Sequence, residues 1–405
     1  MSRFFIEPYD LLFFKDGREL QAGTEYTAEG VFPPMPSTVY GALRSKTVTE
    51  AGGTFDLENF GLEDTSEGKQ VGTLTSTGTL RIEDFIVAFK HEKEVIKLFP
   101  VPQNLLFPED QLNNSDSSSE TLHPCQSCPL DKPDPTPYFK TNLPDWFNLS
   151  TPFKPEGTVL TPASGYLGEK SFESYLKGEL TNVHNNSYDL SSSEMSRSLV
   201  AAENLYRPEP RMHTALSNQT KSVQESKLFT IDYIRPQEGT GIIVDTNLDS
   251  SPFNTPYLRL GGESRPVNIK QIETNDFDKS AIISKIRKDP KQRFKLVLTT
   301  PAVFESGWIP DGIDPDTGKG VLPGTQLHIQ LLGATLPRYT NISGWDLSKN
   351  RPKPAQRGVQ AGSVYFFQLL EGQVEELVDV AFGKSIISDN EFNKQGFGIT
   401  YTGAI

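Results

Sequence analysis

No stretch of this sequence approaches the roughly 20 consecutive apolar residues that a membrane-spanning helix needs. The N-terminus lacks the basic n-region and apolar h-region of a secretion signal and passes directly into strand-like sequence. A cytoplasmic protein with no membrane partner is the expectation. Cysteine is scarce: Cys125 and Cys128 stand in HPCQSCP. A structural zinc site normally takes four ligands, and even with His123 no second pair completes one. The segment reads as an exposed proline-flanked turn, with an adventitious metal site as the other reading. Walker, GxGxxG, HExxH and GxSxG patterns are absent. DGIDPDTGKG at Asp311–Gly320 has the flavour of a calcium loop but lacks the closing glutamate and the flanking helices. Neither a nucleotide cofactor nor a metal is implied.

Positive charge is also in short supply. Lys and Arg number 39 against 52 Asp and Glu, a formal net charge of −13. That balance works against a general electrostatic grip on nucleic acid. It permits local ones, and cations gather at Lys285–Lys295 and between Arg338 and Arg357. The first of these runs reads as a solvated face. The acidic surplus elsewhere suits basic neighbours in an assembly.

What is present is ample chain. At 405 residues two domains are expected. Residues 3–14 read as a strand, Ser37 to Glu50 as a helix ended by Ala51-Gly52-Gly53, and Thr79–Ala88 and Val95–Leu106 as two further strands. Strand, helix, strand, strand opens a ferredoxin-like unit. Pro108 to Trp146 is rich in Asn, Ser, Asp and Pro and reads as a long inserted loop. Tyr166–Glu179 offers a second helix, and Asn182–Ser198 is loop-like again. Met212–Leu216 and Leu228–Ile234 flank the turn-rich Ser217–Ser222 and predict a β-hairpin arm, made net positive by Arg207, Arg211 and Lys221. Gly239–Thr246 and Tyr257–Ile272 complete this part as strands. Beyond about Arg293, strands are predicted at Phe294–Thr300, Thr325–Leu332, Tyr339–Trp345 and Ser363–Leu369. An amphipathic helix follows at Gln373–Phe382. The chain ends in a glycine-rich loop and a last short strand.

Candidate binding chemistry begins in FFKDGRELQAGTEYTAEGVFPPMPSTVYGALR, Phe13–Arg44. Ser37 or Thr38 is a good N-cap, and a helix N-terminus exposes unpaired N–H groups that suit a phosphate. Lys15 and Arg18 lie on the loop before it, and Arg44, deeper in the helix, braces the site. Against this stands a capped core helix after a surface loop. Arg259 and Arg265 flank Gly261-Gly262 and either reach phosphates, or pair with Glu263 or the other domain. Arg351, Lys353 and Arg357 lie on a proline-rich, extended loop. Gly396-Phe397-Gly398, with Lys394 beside it, gives a close backbone and one aromatic for a single strand. Of the five histidines only His213 lies near arginines, and nothing in the pattern makes any of them a general base.

FFKDGRELxxG with FPPMPSTVYGALRS resembles the N-terminal signature of the third-subunit family of the Cmr complex. That complex is the type III-B CRISPR RNA-guided effector, and the family falls within the RAMP superfamily of RNA-binding proteins. YLRLGGESRPV at Tyr257–Val267, RPKPAQRGVQAGSVYFF at Arg351–Phe367 and GFGITYTG at Gly396–Gly403 are similar to the same family, in the same order. The resemblance implies an α+β fold of two ferredoxin-like (RRM-like) domains, the first enlarged by insertions and the arm. Residues 1–290 would form the first, with inserted loops at about 108–160 and 182–235, and 291–405 the second. It implies a non-catalytic subunit holding the 5′ repeat-derived tag of the guide RNA. Its protein partners would be the large polymerase/cyclase-like subunit and the backbone RAMP subunit. In this family the arm projects toward RNA, although Met212-His213-Thr214 replaces the usual glycine-containing segment after Arg211. Some RAMP relatives instead cut precursor guide RNA without a metal, and His213 would be the base in that alternative. A purely protein-bridging scaffold is the third reading.

Overall fold

The computed structural model describes residues 2–15, 27–54, 61–62, 64–73, 75–113, 121–129, 144, 146–147, 159–186, 194–217, 219–248, 253–346, 349 and 351–405. Its principal elements in chain order begin with β1 (Ser2–Pro8), α1 (Pro36–Glu50), α2 (Ser66–Val71), β2 (Ile82–His91), β3 (Glu94–Pro100), β4 (Tyr166–Gly168) and α3 (Glu169–Leu176). Then come β5 (Tyr206–Leu216), β6 (Val223–Pro236), β7 (Thr240–Thr246), β8 (Tyr257–Leu260), β9 (Arg265–Gln271) and α4 (Lys279–Lys288). Last are β10 (Arg293–Leu298), β11 (His328–Thr335), β12 (Val364–Glu371), α5 (Val374–Val380), α6 (Asn390–Lys394) and β13 (Ile399–Ala404). The mixture is α+β, rich in sheet and sparing of helix. No helix among the described residues is long and apolar enough to cross a membrane.

The chain divides into two units, and neither is a contiguous half. One takes residues 1–82, 203–272 and 341–356; the other takes 83–202, 273–340 and 357–405. These units do not follow the linear 1–290 and 291–405 division of the expectation, and the chain passes back and forth between them.

In the first unit four antiparallel strands stand in the order β8-β9-β1-β7. β1 thus pairs with strands much later in the chain. The expected strand–helix–strand–strand start is not the pairing order of β1, whose neighbours are β7 and β9. Sequential neighbours pair only about two-thirds of the time, and long insertions make exceptions easy. Alternation sorts the side chains of β8 and β9, where Leu258, Leu260, Val267 and Ile269 are buried; β7 is buried on both faces, as are Phe4, Phe5 and Ile6 of β1. α1 packs against β8. It begins one residue before the expected cap, with Pro36 at its first position and Met35 as a cap that makes no side-chain bond. Proline suits that place, since its fixed φ is already helical and its missing N–H would be unpaired anyway. The predicted end holds: Gly53 N–H reaches the Val48 carbonyl at 2.9 Å while Gly52 takes φ +77°.

The arm also belongs to the first unit. β5 and β6 pair from Tyr206–Pro236 to Leu216–Val223, with a register shift between Thr214 and Leu216. Thr27–Ala28 adds a short parallel edge beside Thr230–Ile231. Leu11, Ala28, Ile231 and Tyr233 form a small core at the arm's root, with Phe13 and Phe229 against it.

The second unit holds two six-stranded arrays. One runs β2-β3-β4 and on through 198–200, 183–186 and 121–122. The stretch 182–198 read as loop therefore contributes strand Val183–Asn186, paired with Ser198–Val200. The helix expected at Tyr166–Glu179 is β4 followed by the shorter α3. Within 108–160, the residues described include a short helix at Glu109–Asn113 and strands at Thr121–Leu122 and Cys125–Gln126; most of that insertion lies outside the described residues. The other array runs 319–321, β11, β12, β10, β13, 384–385. Phe99 stacks on Phe172 at 4.1 Å, and Phe277, Phe382 and Tyr401 close an aromatic core around them.

Candidate nucleic-acid interface

The sequence places glycines where the chain must pass close to itself, and these build the arm's root. Gly261 has φ +73°, and a Cβ there would fall 2.7 Å from the Phe13 carbonyl oxygen. Gly262 N–H donates to that same carbonyl at 2.8 Å. Leu12 exchanges backbone bonds with Ile234, 2.8 Å each way. Gly30 lies so tightly on the Asp232 carbonyl that no side chain fits between them. The loop after β1, the turn before β9 and the base of the arm are thereby held together.

Tyr233 is the centre of this place. It is 1% exposed, and its hydroxyl donates to Glu263 at 2.8 Å. His213 Nε2 lies 3.3 Å from the same hydroxyl, and the imidazole stacks on Phe229. The guanidinium groups of Arg265 and Arg211 sit 5.0 and 5.7 Å from the Tyr233 ring centre. Arg265 also pairs with Glu263. Glu209 bridges Arg211, at 2.7 Å, and Arg235; Arg235 reaches on to Asp10 at 3.2 Å. Hydrogen bonds from Arg235 and then Arg211 pull the Glu209 carboxyl down to about 2. Burial pushes Glu263 up, but the bonds from Tyr233 and Arg265 outweigh it and leave that carboxyl below its usual range. Burial, and then the Glu263 bond, push the Tyr233 phenol up. The result is a row of guanidinium groups fixed in direction by carboxylates and an aromatic ring. Such fixed donors are pre-oriented for phosphate oxygens.

Several residues expected to bind come together here. Arg211 and Arg265 share Tyr233. Arg259 is exposed on β8 opposite Pro266, on the face away from Arg265, which pairs with Leu260, so it is not brought to this cluster. Lys15 is exposed and bridges Gly30. Arg18 lies outside the described residues. Ser37 and Thr38 occupy the first turn of α1, half-buried, and neither is the cap. Arg44 serves packing: its guanidinium donates to the carbonyls of Val71, Thr73 and Ser76, closing the C-terminal end of α2 and the loop after it. Arg351 and Lys353, both exposed, stand on a small two-stranded turn that pairs Trp345 with Pro352 and Asp346 with Arg351.

The tail loop differs most from expectation. Phe397 is fully buried, edge-on to Phe392, and Gly396 and Gly398 are buried with it. Their φ values, +87° and +68°, reverse the chain so that the ring enters the core. Lys394 ends the short α6, half-buried and engaged. A ring enclosed in this way offers no face to a base. The glycines were read as a close approach to a ligand, and they make instead a close approach to the protein itself. Tyr233 and Glu209, which organise the arginines, went unnoticed in the sequence; the strand alternation that puts 209, 211 and 213 on one face opposite 229, 231 and 233 was the available signal. No group of three or more His, Cys, Asp or Glu among the described residues could hold a metal ion.

The family model described as CRISPR-associated protein (Cas_Cmr3) matches residues 4–405. No curated protein matches. Among solved structures, a chain of the type III-B Cmr-beta complex bound to cognate target RNA aligns with a TM-score of 0.47 and 14% identity, over 93% of this chain and 88% of that one. A chain of the same kind of complex bound to cognate target RNA and AMPPnP gives 0.46 and 13%, with the same coverage. A chain of the Cmr-beta apo state gives 0.27 and 12%, over 67% of this chain and 97% of that one.

Proposed function

The chain belongs to the CRISPR-associated Cmr3 family, the third subunit of the type III-B Cmr complex, and on that premise we propose that it holds guide RNA without cutting it. Its ligand is the 5′ repeat-derived tag, and its neighbours are the large polymerase/cyclase-like subunit and the backbone RAMP subunit. The observation that carries this reading is the family match over residues 4–405. The arm root is the feature that fits it. Arg211, Arg235 and Arg265 are aligned there on one small scaffold, with exposed Lys15 and Arg259 in the same unit. A single strand is held by such backbone contacts together with stacking.

The two-domain ferredoxin-like reading draws support from the second unit. Its four main strands of one array, β13-β10-β12-β11, stand as fourth, first, third and second in chain order, the order of the split βαβ unit. α5 lies in the second crossover. The first crossover, residues 299–327, contains no helix.

The cutting alternative rests on His213. Its ring is half-buried between Phe229 and the Tyr233 hydroxyl, and Tyr233 is committed to Glu263. A general base needs open reach to a 2′-hydroxyl, so the packing favours a bracing role.

The test is purification of the assembled complex, sequencing of the co-purified RNA and mapping of its crosslinks. The holding function requires guide RNAs with a common 5′ tag, and tag crosslinks near Lys15 or the arm root. Crosslinks confined to other subunits would leave this chain a protein scaffold. Repeat-RNA cleavage that His213→Ala abolishes would establish the enzyme instead.

A further inference from the structure

Two exposed aromatic rings stand at the β8 side of the first unit's sheet, on the face that farther in carries the buried Phe5 and Ile243. Tyr9, just past β1, is 55% exposed, and Tyr257, at the start of β8, is 60% exposed. Their ring centres lie 6.0 Å apart with planes tilted 40°. The ladder fixes what surrounds them. Glu7, Asn268 and Tyr257 form one row across β1, β9 and β8, and Pro266 stands opposite Arg259 in the next. Alternation puts Tyr257 and Arg259 on one side while Leu258 and Leu260 are buried on the other. Lys270, exposed on β9, shares the face with Asn268. Among the described residues neither Arg259 nor Lys270 has an ion-pair partner.

We infer that Tyr9 and Tyr257 are a stacking platform for unpaired bases of a single-stranded RNA, with Arg259 and Lys270 receiving its phosphates. This rests on the RNA-holding function above and assigns part of that contact to residues outside the arm root. Two rings tilted by 40° cannot both lie flat beneath one base. They offer separate facets to successive bases of a strand whose stack is broken, the form in which proteins read unpaired RNA. The chemistry of the face distinguishes this ligand from a protein. Around the two rings stand Asn268, Pro266, Glu7 and the two unpaired cations, and the apolar residues farther along the face, Phe5 and Ile243, are buried and offer no surface to a partner. A protein interface has a desolvated core depleted of charge, whereas rings interleaved with cations are the signature of single-strand binding. Glu7 limits how many phosphates this face accepts, so stacking supplies the larger share.

The experiment uses the full chain in the reconstituted complex. Guide RNA carrying 4-thiouridine is crosslinked, and its affinity is measured against salt for wild type, Tyr9→Ala/Tyr257→Ala, Tyr9→Phe/Tyr257→Phe and Arg259→Ala. The expected result is a crosslink at one or both tyrosines. The alanine pair should weaken binding about tenfold or more with an unchanged salt slope. The phenylalanine pair should bind as wild type, since the ring face is kept. Arg259→Ala should reduce the salt slope by about one. Crosslinks at Lys15 or the arm root, with the alanine pair binding as wild type, would overturn the platform and leave the holding function standing. No crosslink anywhere on this subunit would remove both. An alanine pair that is lost from the complex while the complex keeps its RNA affinity would overturn the platform in favour of protein docking.

Discussion

Lys295 gives the sharpest test of the fold's energetics. It lies on β10, is 1% exposed, and places its Nζ 3.7 Å from the centre of the Tyr175 ring. No carboxylate stands within ion-pair distance of it among the described residues. Burial drops its ammonium from 10.5 to about 7; Cys128 opposes the drop and Lys285 adds to it. In this window the unfolded chain binds a proton that the native one does not. Stability therefore rises with pH from about 7 toward 10.5, and the cost of the buried lysine is fully present below 7. At about 1.4 kcal/mol per pH unit, that cost is on the order of 5 kcal/mol. Lys295→Met keeps the length and removes the charge. Denaturant midpoints of both proteins, measured from pH 6 to 9.5, separate this term from every other titrating group, because the common groups cancel in the difference. The variant should be more stable at pH 7, and its advantage should shrink by about 1.4 kcal/mol for each pH unit between 7.5 and 9.5. A difference that stays constant over that interval would show that the native lysine is hydrated, and the argument from burial would fail.

Other substitutions separate packing from binding. Arg44→Ala removes the bonds to the Val71 carbonyl that ends α2 and to the Thr73 and Ser76 carbonyls of the loop after it, and should cost about 2 kcal/mol in a denaturation curve while leaving guide-RNA affinity unchanged; a loss of affinity without a loss of stability would refute the brace. Phe397→Ala removes a fully buried ring and should cost about 3–5 kcal/mol, with Phe397→Leu much milder; the mark against it would be two stable variants that bind RNA poorly. Gly30→Ala has no room against the Asp232 carbonyl and should speed limited proteolysis at the arm root. Glu209 stays ionised until pH falls toward about 2, so its ion pairs to Arg211 and Arg235 should be flat across pH 5–8. Hydrogen exchange of β5 and β6 should show no pH-dependent opening in that range, and Glu209→Gln should raise it.

The hairpin of β2 and β3 was legible because two apolar runs flank a short charged turn, and the arm because strand-like pieces flank Ser217–Ser222. Helix α1 was legible from its glycine end. The partners of β1 were not, since nothing local in Phe4 or Ile6 encodes pairing with Val244 or Ile269 far along the chain. The tail shows the deeper difficulty. Gly-Phe-Gly is the same string whether the glycines expose a ring to a ligand or fold it inward. The residues that decide, Phe392 and Ile387, are ordinary apolar positions with no pattern of their own. The arginines divide in the same way. Arg44 and Arg265 look alike in the string, but one meets a helix-end carbonyl and two loop carbonyls and the other a carboxylate and a ring.

This bears on how a chain of net charge −13 serves RNA at all. Its far field repels a phosphate backbone, so long-range steering gives it nothing. What remains is short-range geometry, effective only once the strand is delivered by an assembly. The arm root suits that circumstance, because its carboxylates do two things at once. Glu209 and Glu263 reduce the net positive charge there, and they also fix the directions in which Arg211, Arg235 and Arg265 point. A guanidinium already held by a carboxylate loses less freedom when a phosphate arrives, since it still has donors to offer in its planar fork. Affinity built this way depends weakly on total charge and strongly on the few positions where the protein is rigid. It should accordingly show a small salt slope for the subunit and a large penalty for any substitution that lets those arginines turn.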